Sequence, residues 1–191
     1  MQKTTNIMIV GVGGQGSLLA SKLLGGLLLD AGYDVKVSEV HGMSQRGGSV
    51  VTYVRYGERV ASPIITEGEA DYILSFEKLE AARFAACLKK GGHIIVNTQE
   101  IDPMPVLTGK AQYPHDVLAE LTAKGVDVDA VDALSAATAA GSAKCVNIVL
   151  LARLSKHLNI PADKWREAIA KSVKPQFVEL NLKAFELGQN L

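Results

Sequence analysis

The sequence predicts an open α/β sheet, mostly parallel, with helices on both faces and a helical C-terminal segment. Three observations lead there. Apolar runs of strand length alternate with stretches of helical spacing in the order β-α-β-β-β-α-β-α-β, and from Ala133 onward the pattern is helical. The first apolar run, Ile7-Met8-Ile9-Val10, leads directly into Gly11-Val12-Gly13-Gly14-Gln15-Gly16. A length of 191 residues with 48% apolar content supports one sizeable core and is short for two ordinary domains, so residues 1–191 are expected to form a single domain.

The first strand is predicted over 6–10 and its helix over about 14–31, closed by Gly32 where a helix C-terminus favours glycine. Val35 to Val40 then completes a β-α-β opening. A polar, glycine-rich connection from His41 to Gly48 leads to the β-branched and aromatic run Val50–Tyr56, which Gly57-Glu58 ends in a turn. Residues 71–76 read as a further strand, Leu79 to Leu88 as a helix, and His93 to Val96, after Gly91-Gly92, as a return to the sheet. Pro103 and Pro105 mark a loop, Asp116–Lys124 a helix and Val126–Val131 the last strand. The C-terminal segment comprises an apolar stretch at Val146–Leu154, a break at Pro161, an amphipathic helix about Trp165 and a final helix from Pro175 to Leu187.

Twenty Lys and Arg against twenty Asp and Glu give a formal net charge of zero, which argues against nucleic acid or an anionic membrane as partner. It also lowers the repulsion between copies and favours a chain that works in an assembly. Met1 to Thr5 shows no signal-peptide pattern. The longest apolar stretch, Leu18–Leu29, is broken by Ser21, Lys22, Gly25 and Gly26, short of the ~20 residues of a membrane span, so a cytoplasmic location is expected. Cys87 and Cys145 form neither a disulfide framework nor a metal knuckle and read as core thiols. His41, His93, His115 and His157 have no i, i+4 pairing, so no metal site is expected.

The glycine loop is a Rossmann-like phosphate signature: Gly11 for the tight turn, Gly13 for bare backbone beside a ligand, Gly16 for close helix-to-sheet approach. Gly14 and Gln15 would add backbone donors, and the helix dipole would favour an anion. Glu39 stands 23 residues after Gly16, a spacing that permits a contact with ribose hydroxyls. The segment Glu39 to Gly48 then gathers a carboxylate, the His41 imidazole, the Ser44 hydroxyl, the Arg46 guanidinium and Gly47-Gly48. Arg46 has three readings: a fork for a phosphate or carboxylate, a partner for Glu39 in a buried turn, or a subunit contact.

Catalytic machinery is harder to find. Ser44 is near His41, but only Glu39 could orient the imidazole and no Gly-x-Ser-x-Gly elbow is present, so no catalytic residue is assigned. A thiamine diphosphate site would need a Gly-Asp-Gly element, and one iron–sulfur cluster would need about four thiolates where this chain has two. A ligand cradle without a reaction centre leaves open a self-sufficient NAD(P)-dependent dehydrogenase, an enzyme-complex subunit, and a non-catalytic scaffold.

Gly11–Gly16 and Glu39–Gly48 together resemble the gamma-type domain of the 2-oxoacid:ferredoxin oxidoreductases, of the pyruvate/ketoisovalerate oxidoreductase family. Glu-Val-His-Gly-Met-Ser-Gln-Arg at 39–46 is similar to the small, or beta, subunits of the members acting on indolepyruvate. Ile73-Leu74-Ser75-Phe76-Glu77, Leu88 to Gly92, Tyr113-Pro114, the helix holding Asn147 and Ala184 to Gly188 extend the resemblance almost end to end. Ser142, after Gly141, departs from the family's usual Asn or similar residue. The resemblance implies a large (alpha) partner subunit holding thiamine diphosphate, magnesium and [4Fe–4S] clusters. There an arylpyruvate would be decarboxylated, electrons passed to ferredoxin and the acyl group delivered to coenzyme A. It implies for this chain a covering role, with Gly11, Gly13, Gly14, Gln15 and Gly16 as backbone donors and Arg46 as a charged one. Pyruvate, 2-oxoisovalerate and 2-oxoglutarate enzymes carry the same domain and are the alternatives. In isolation the chain is expected to form a homodimer.

Overall fold

The computed structural model describes residues 4–41 and 48–191, with the His41 side chain outside the description. Six strands are present among the described residues: β1 (Thr5–Val12), β2 (Asp34–His41), β3 (Ser49–Gly57), β4 (Ala70–Ser75), β5 (Leu88–Asn97) and β6 (Asp127–Val131). The helices are α1 (Ser17–Asp30), α2 (Lys78–Arg83), α3 (Met104–Leu107), α4 (Val117–Ala123), α5 (Ala133–Ala140), α6 (Val146–Ser155), α7 (Ala162–Ser172) and α8 (Val178–Gln189).

The strands form one sheet in the order β2-β3-β1-β4-β5-β6. β1, β4, β5 and β6 are parallel neighbours. β3 is antiparallel to both β1 and β2, so β2 runs in the direction of β1 without touching it. The β-α-β opening is therefore split by an inserted strand. Two strands joined by a short connection pair antiparallel, and β3, with Val50, Val51, Thr52 and Val54 buried, suits the interior. β2 carries Lys36, Glu39 and the exposed Val37 and Val40, and occupies the edge.

Side-chain alternation along β1 divides the core. Ile7 and Ile9 join Leu74, Phe76 and Ile95 under α1, α5, α6, α7 and α8. Met8 and Val10 join Ile73, Ile94 and Val96 on the other face, covered by Ala81 of α2 and Leu121 of α4. The middle strand is buried on both sides, which is why it reads as an unbroken apolar run. The helix after β1 thus covers one face and the helix after β4 the other. Because β1 and β4 are adjacent, their carboxyl ends form the switch point where open α/β sheets bind ligands.

Several boundaries differ from the sequence reading. α1 begins at Ser17 because the turn occupies Gly13 to Gly16. The predicted helix over Leu79–Leu88 is the short α2 plus one 3-10 turn, and β5 begins at Leu88, five residues before the expected strand. Gly91-Gly92 lies inside that strand, where the β4–β5 register shifts: Gly91 has φ +74°, and a Cβ on Gly92 would stand 2.9 Å from the Asp71 carbonyl. The Pro103/Pro105 loop contains the one-turn α3, whose start tolerates proline. The expected C-terminal helices are present, with Trp165 of α7 stacked on Phe185 of α8 at 5.9 Å.

Candidate functional site

The glycine loop at the end of β1 lies at the switch point, but its glycines divide the work differently from the sequence reading. Gly11 lies within β1 and makes no turn; a Cβ there would stand 2.9 Å from the Phe76 Cβ and from the Gln15 Oε1. Its bareness lets β1 and the end of β4 approach. The turn belongs to Gly14 (φ +100°) and Gly16 (φ +91°), conformations that side chains resist. Gly16 caps α1 and stands beside the Asn147 side chain, 3.5 Å from where its Cβ would be.

The loop's donors are also partly spoken for. Gly13 N–H donates to the Gly48 carbonyl (2.9 Å), pinning the approach to β3 against the loop. Gln15 N–H donates to the Val12 carbonyl (3.2 Å), while its side chain accepts from Val12 N–H (2.7 Å) and donates to the Phe76 carbonyl (3.1 Å). Gly13 and Gln15 thus brace the loop through the groups the sequence reading offered to a ligand. The N–H groups of Gly14, Gly16 and Ser17 have no acceptor among the described residues, as the first turn of a helix leaves them.

Two surface cavities flank these donors. One of about 440 Å³ is lined by Gly13, Gly14, Gly16, Ser17, Leu18, Val50 and Glu39, so Glu39 reaches the glycine loop across β3. The other, about 500 Å³, is lined by Gly14, Gln15, Gly16 and Leu19 together with Gln99, Leu134, Lys144 and Asn147. Ser44, Arg46 and Gly47 lie outside the described residues, as does the His41 side chain; the His41 backbone pairs with Val50.

The sequence reading gave Gln99, Lys144 and Asn147 no part in the site. Asn147 carried a usable signal, the one polar residue in the apolar stretch Val146–Leu154 before Arg153. Its Oδ1 accepts Ile148 N–H at 3.0 Å, so the amide nitrogen is the atom turned toward Gly16.

Beneath the loop, buried carboxylates hold the neighbouring elements. Glu77, 1% exposed, caps α2 through Glu80 N–H (2.9 Å) and accepts the Tyr113 hydroxyl. Burial first, then the Glu77 carboxylate, pushes the Tyr113 hydroxyl far above its ordinary value. Glu80 accepts the Ser49 hydroxyl at the start of β3 and the Arg83 Nε (3.1 Å). Asn97 donates to the Phe76 carbonyl (3.3 Å) and accepts Ala133 N–H (3.1 Å), tying β5 and α5 to the same point.

The two thiols lie on opposite faces of the sheet, Cys145 in the larger core and Cys87 against the smaller one. Cys145 is buried as expected, whereas Cys87 is only half-buried, and burial raises the pKa of both. They cannot ligate one centre together. Among the described residues no group of three His, Cys, Asp or Glu is placed to hold a metal, and no helix is long and apolar enough to cross a membrane.

A mostly parallel sheet with a braced glycine turn at its switch point defines a Rossmann-like open α/β domain. The chain belongs to the family described as pyruvate ferredoxin/flavodoxin oxidoreductase, which matches residues 6–191. It is 46% identical over 191 residues to the indolepyruvate oxidoreductase subunit IorB of Thermococcus kodakarensis, covering 97% of this chain and 95% of that one. The fold is shared with the keto/oxoacid ferredoxin oxidoreductase gamma subunit of Geobacter sulfurreducens (TM-score 0.72, 23% identity, 97% of this chain and 96% of that one). It is shared also with the 2-oxoglutarate:ferredoxin oxidoreductase of Magnetococcus marinus, solved with 2-oxoglutarate, coenzyme A and succinyl-CoA (TM-score 0.74, 19% identity, 100% of this chain and 31% of that one).

Proposed function

We propose that this chain is the small subunit of an indolepyruvate:ferredoxin oxidoreductase, carrying out arylpyruvate oxidation to an arylacetyl-CoA only when joined to a large subunit. The observation that carries this reading is the 46% identity to an indolepyruvate oxidoreductase subunit over nearly the full length of both chains. The large subunit holds thiamine diphosphate, magnesium and [4Fe–4S] clusters in this reading, and ferredoxin takes the electrons. Two thiols on opposite sides of the sheet are no cluster site, which supports placing the clusters on the partner. Thiamine diphosphate would supply the carbanion stabilisation that 2-oxoacid decarboxylation needs.

This chain's own contribution is to cover and position. The N–H groups of Gly14, Gly16 and Ser17, which have no acceptor among the described residues, suit an anionic part of coenzyme A, the candidate shared ligand. Glu39, His41, Ser44, Arg46 and Gly47 are the remaining residues proposed to contact a ligand. The exposed Val37 and Val40 on edge strand β2 and Leu18 and Leu29 on α1 support self-association of the isolated chain as a homodimer, which light scattering tests.

Co-expression with the large subunit tests the main reading. Indolepyruvate- and coenzyme A-dependent ferredoxin reduction is expected from the complex and from neither chain alone; an active single chain overturns it. The presence of Glu39 in one cavity with the glycine loop supports a second reading, a dehydrogenase acting alone. Calorimetric titration with NAD and NADP separates the two, and micromolar binding would favour the dehydrogenase.

A further inference from the structure

The connection from β5 to α4 has two ends that meet on one atom. Ile101 N–H (3.3 Å) and the Tyr113 hydroxyl both donate to Oε1 of the buried Glu77. Lys78 reinforces this neck: its N–H donates to the Gln99 carbonyl (3.2 Å), and its ammonium to the His115 carbonyl (3.0 Å) and the Glu100 carboxylate. Between the two ends the chain leaves the body of the domain. From Asp102 to Gln112 every residue is exposed except Pro103 and Val106, which are half-buried. A loop of this length closed at its neck is an Ω-type projection, a form frequently used for function.

The hydrogen bonds of the tip are its own. Val106 and Leu107 N–H donate to the Pro103 carbonyl (2.9 and 3.1 Å), Thr108 N–H to the Met104 carbonyl (3.0 Å), and Lys110 and Ala111 N–H to the Pro105 carbonyl (2.8 and 3.1 Å). Pro103 and Pro105 fix φ within the tip, and Gly109, at φ +72°, reverses the chain. The turn α3 presents Met104 and Leu107 on one face, three residues apart. Each is 65% exposed, the highest value among the exposed large hydrophobic residues described. Water surrounds both, so they contribute little to the stability of the domain itself. The shape that carries them is already set, so docking through them would cost little ordering entropy.

We propose that this projection is a knob for the large subunit, with Met104 and Leu107 seated in an apolar pocket of that partner. Pro103–Gly109 carries no charged residue, whereas Asp102 and Lys110 flank it, the arrangement of an apolar interface centre inside a polar rim. Position decides between occupants. The knob follows the carboxyl end of β5, so a partner seated on it lies at the switch-point end of the sheet. Val37 and Val40, assigned above to self-association, are on β2, which three strands separate from β5. A second copy paired along β2 leaves the knob to the large subunit. The knob's role rests on the two-subunit reading, and its test is chosen so that the two fail separately.

Association of the purified full-length chain with the large subunit is measured by biolayer interferometry for wild type, Met104→Ser/Leu107→Ser and Ile64→Ser. The double change is expected to weaken association about thirtyfold or more, the loss that follows truncation of buried interface anchors. Ile64 is also an exposed apolar residue, but it lies on the β3–β4 connection at the other end of the sheet, and its change should leave association unaltered. All three side chains are exposed, so the variants should keep the wild-type thermal melt. Hydrogen exchange in the wild-type complex gives a readout that needs no variant: the amides of 106–111 should exchange more slowly than in the chain alone. Equal association of the double variant and wild type, or unchanged exchange at the tip, overturns the proposal and leaves the two-subunit reading standing. A double variant that binds the large subunit normally but no longer self-associates assigns the knob to a second copy, which also overturns it. Failure of the wild-type chain to bind the large subunit overturns the two-subunit reading itself, and the knob's assignment with it.

Discussion

The Gln15 side chain donates to the Phe76 carbonyl at 3.1 Å, linking the turn after β1 to the residue after β4 across the switch point. Its other amide atom accepts Val12 N–H at 2.7 Å, so one side chain holds both lips of the crevice. Gln15→Leu keeps the bulk and loses both bonds, leaving partly buried backbone groups without them. A loss of about 1–3 kcal/mol in unfolding free energy is expected. The single, fully buried Trp165 provides the fluorescence probe for denaturant titration.

Glycine substitutions should separate backbone strain from collision. Gly14 has φ +100° with no atom within 4 Å of an added Cβ, so Gly14→Ala costs about 1–2 kcal/mol of conformational strain. Gly188 lies where α8 meets α6, and a Cβ there would stand 2.7 Å from the Val149 carbonyl oxygen and 2.8 Å from the Ala152 Cβ. Backbone on both sides cannot give way easily, so Gly188→Ala should cost more than Gly14→Ala. Thermal melts of the two variants check the order.

Local spacing made most elements legible, because each strand and helix writes its own burial into the sequence. The β1 run and the turn after it were readable, as was the amphipathic helix about Trp165. Strand order was not, since nothing in Val35–Val40 says that β3 will insert between it and β1. Nor was the division of labour among the glycines: Gly11 is bare because Phe76, 65 residues away in sequence, crosses beside it. The spacing that singled out Glu39 survives the inserted strand only in that Glu39 and the glycine loop line one cavity. Gln99, Lys144 and Asn147 escaped because three different elements bring them to the loop, and only Asn147 left a local mark.

His157 offers an acid-side test at the opposite end of the sheet. Its ring stands 4.9 Å from that of His93 and 5.6 Å from that of Tyr72, and burial by these neighbours, then repulsion from His93, lowers its pKa despite Asp129 and Asp127 nearby. The folded state therefore binds this proton less readily than the unfolded state. Its contribution to stability is complete above the unfolded value of about 6.5 and is lost as pH falls through the lower folded value. NMR titration should show the His157 imidazole protonating below the usual histidine range, and His157→Gln should flatten stability between about pH 7 and pH 5.

Tyr113 sets the alkaline counterpart. Burial and the neighbouring Glu77 carboxylate raise its hydroxyl pKa, so the folded state keeps a proton that the unfolded chain releases near pH 10. Its contribution is fully present below that unfolded value and is lost as pH rises above it. Burial likewise raises Tyr56 and Tyr72, so fewer than the five tyrosines should ionise near pH 10 in the folded chain. Tyr113→Phe removes the hydroxyl that Glu77 accepts and the acceptor that Leu79 N–H uses at 3.2 Å. At pH 7 it should cost about 1–3 kcal/mol, while the further loss between pH 10 and pH 12 should be smaller than in wild type. Ultraviolet titration of phenolate absorbance and urea titrations at pH 7, 10 and 11 measure both effects. An unchanged alkaline slope in Tyr113→Phe would show that the hydroxyl does not hold its proton in the folded state.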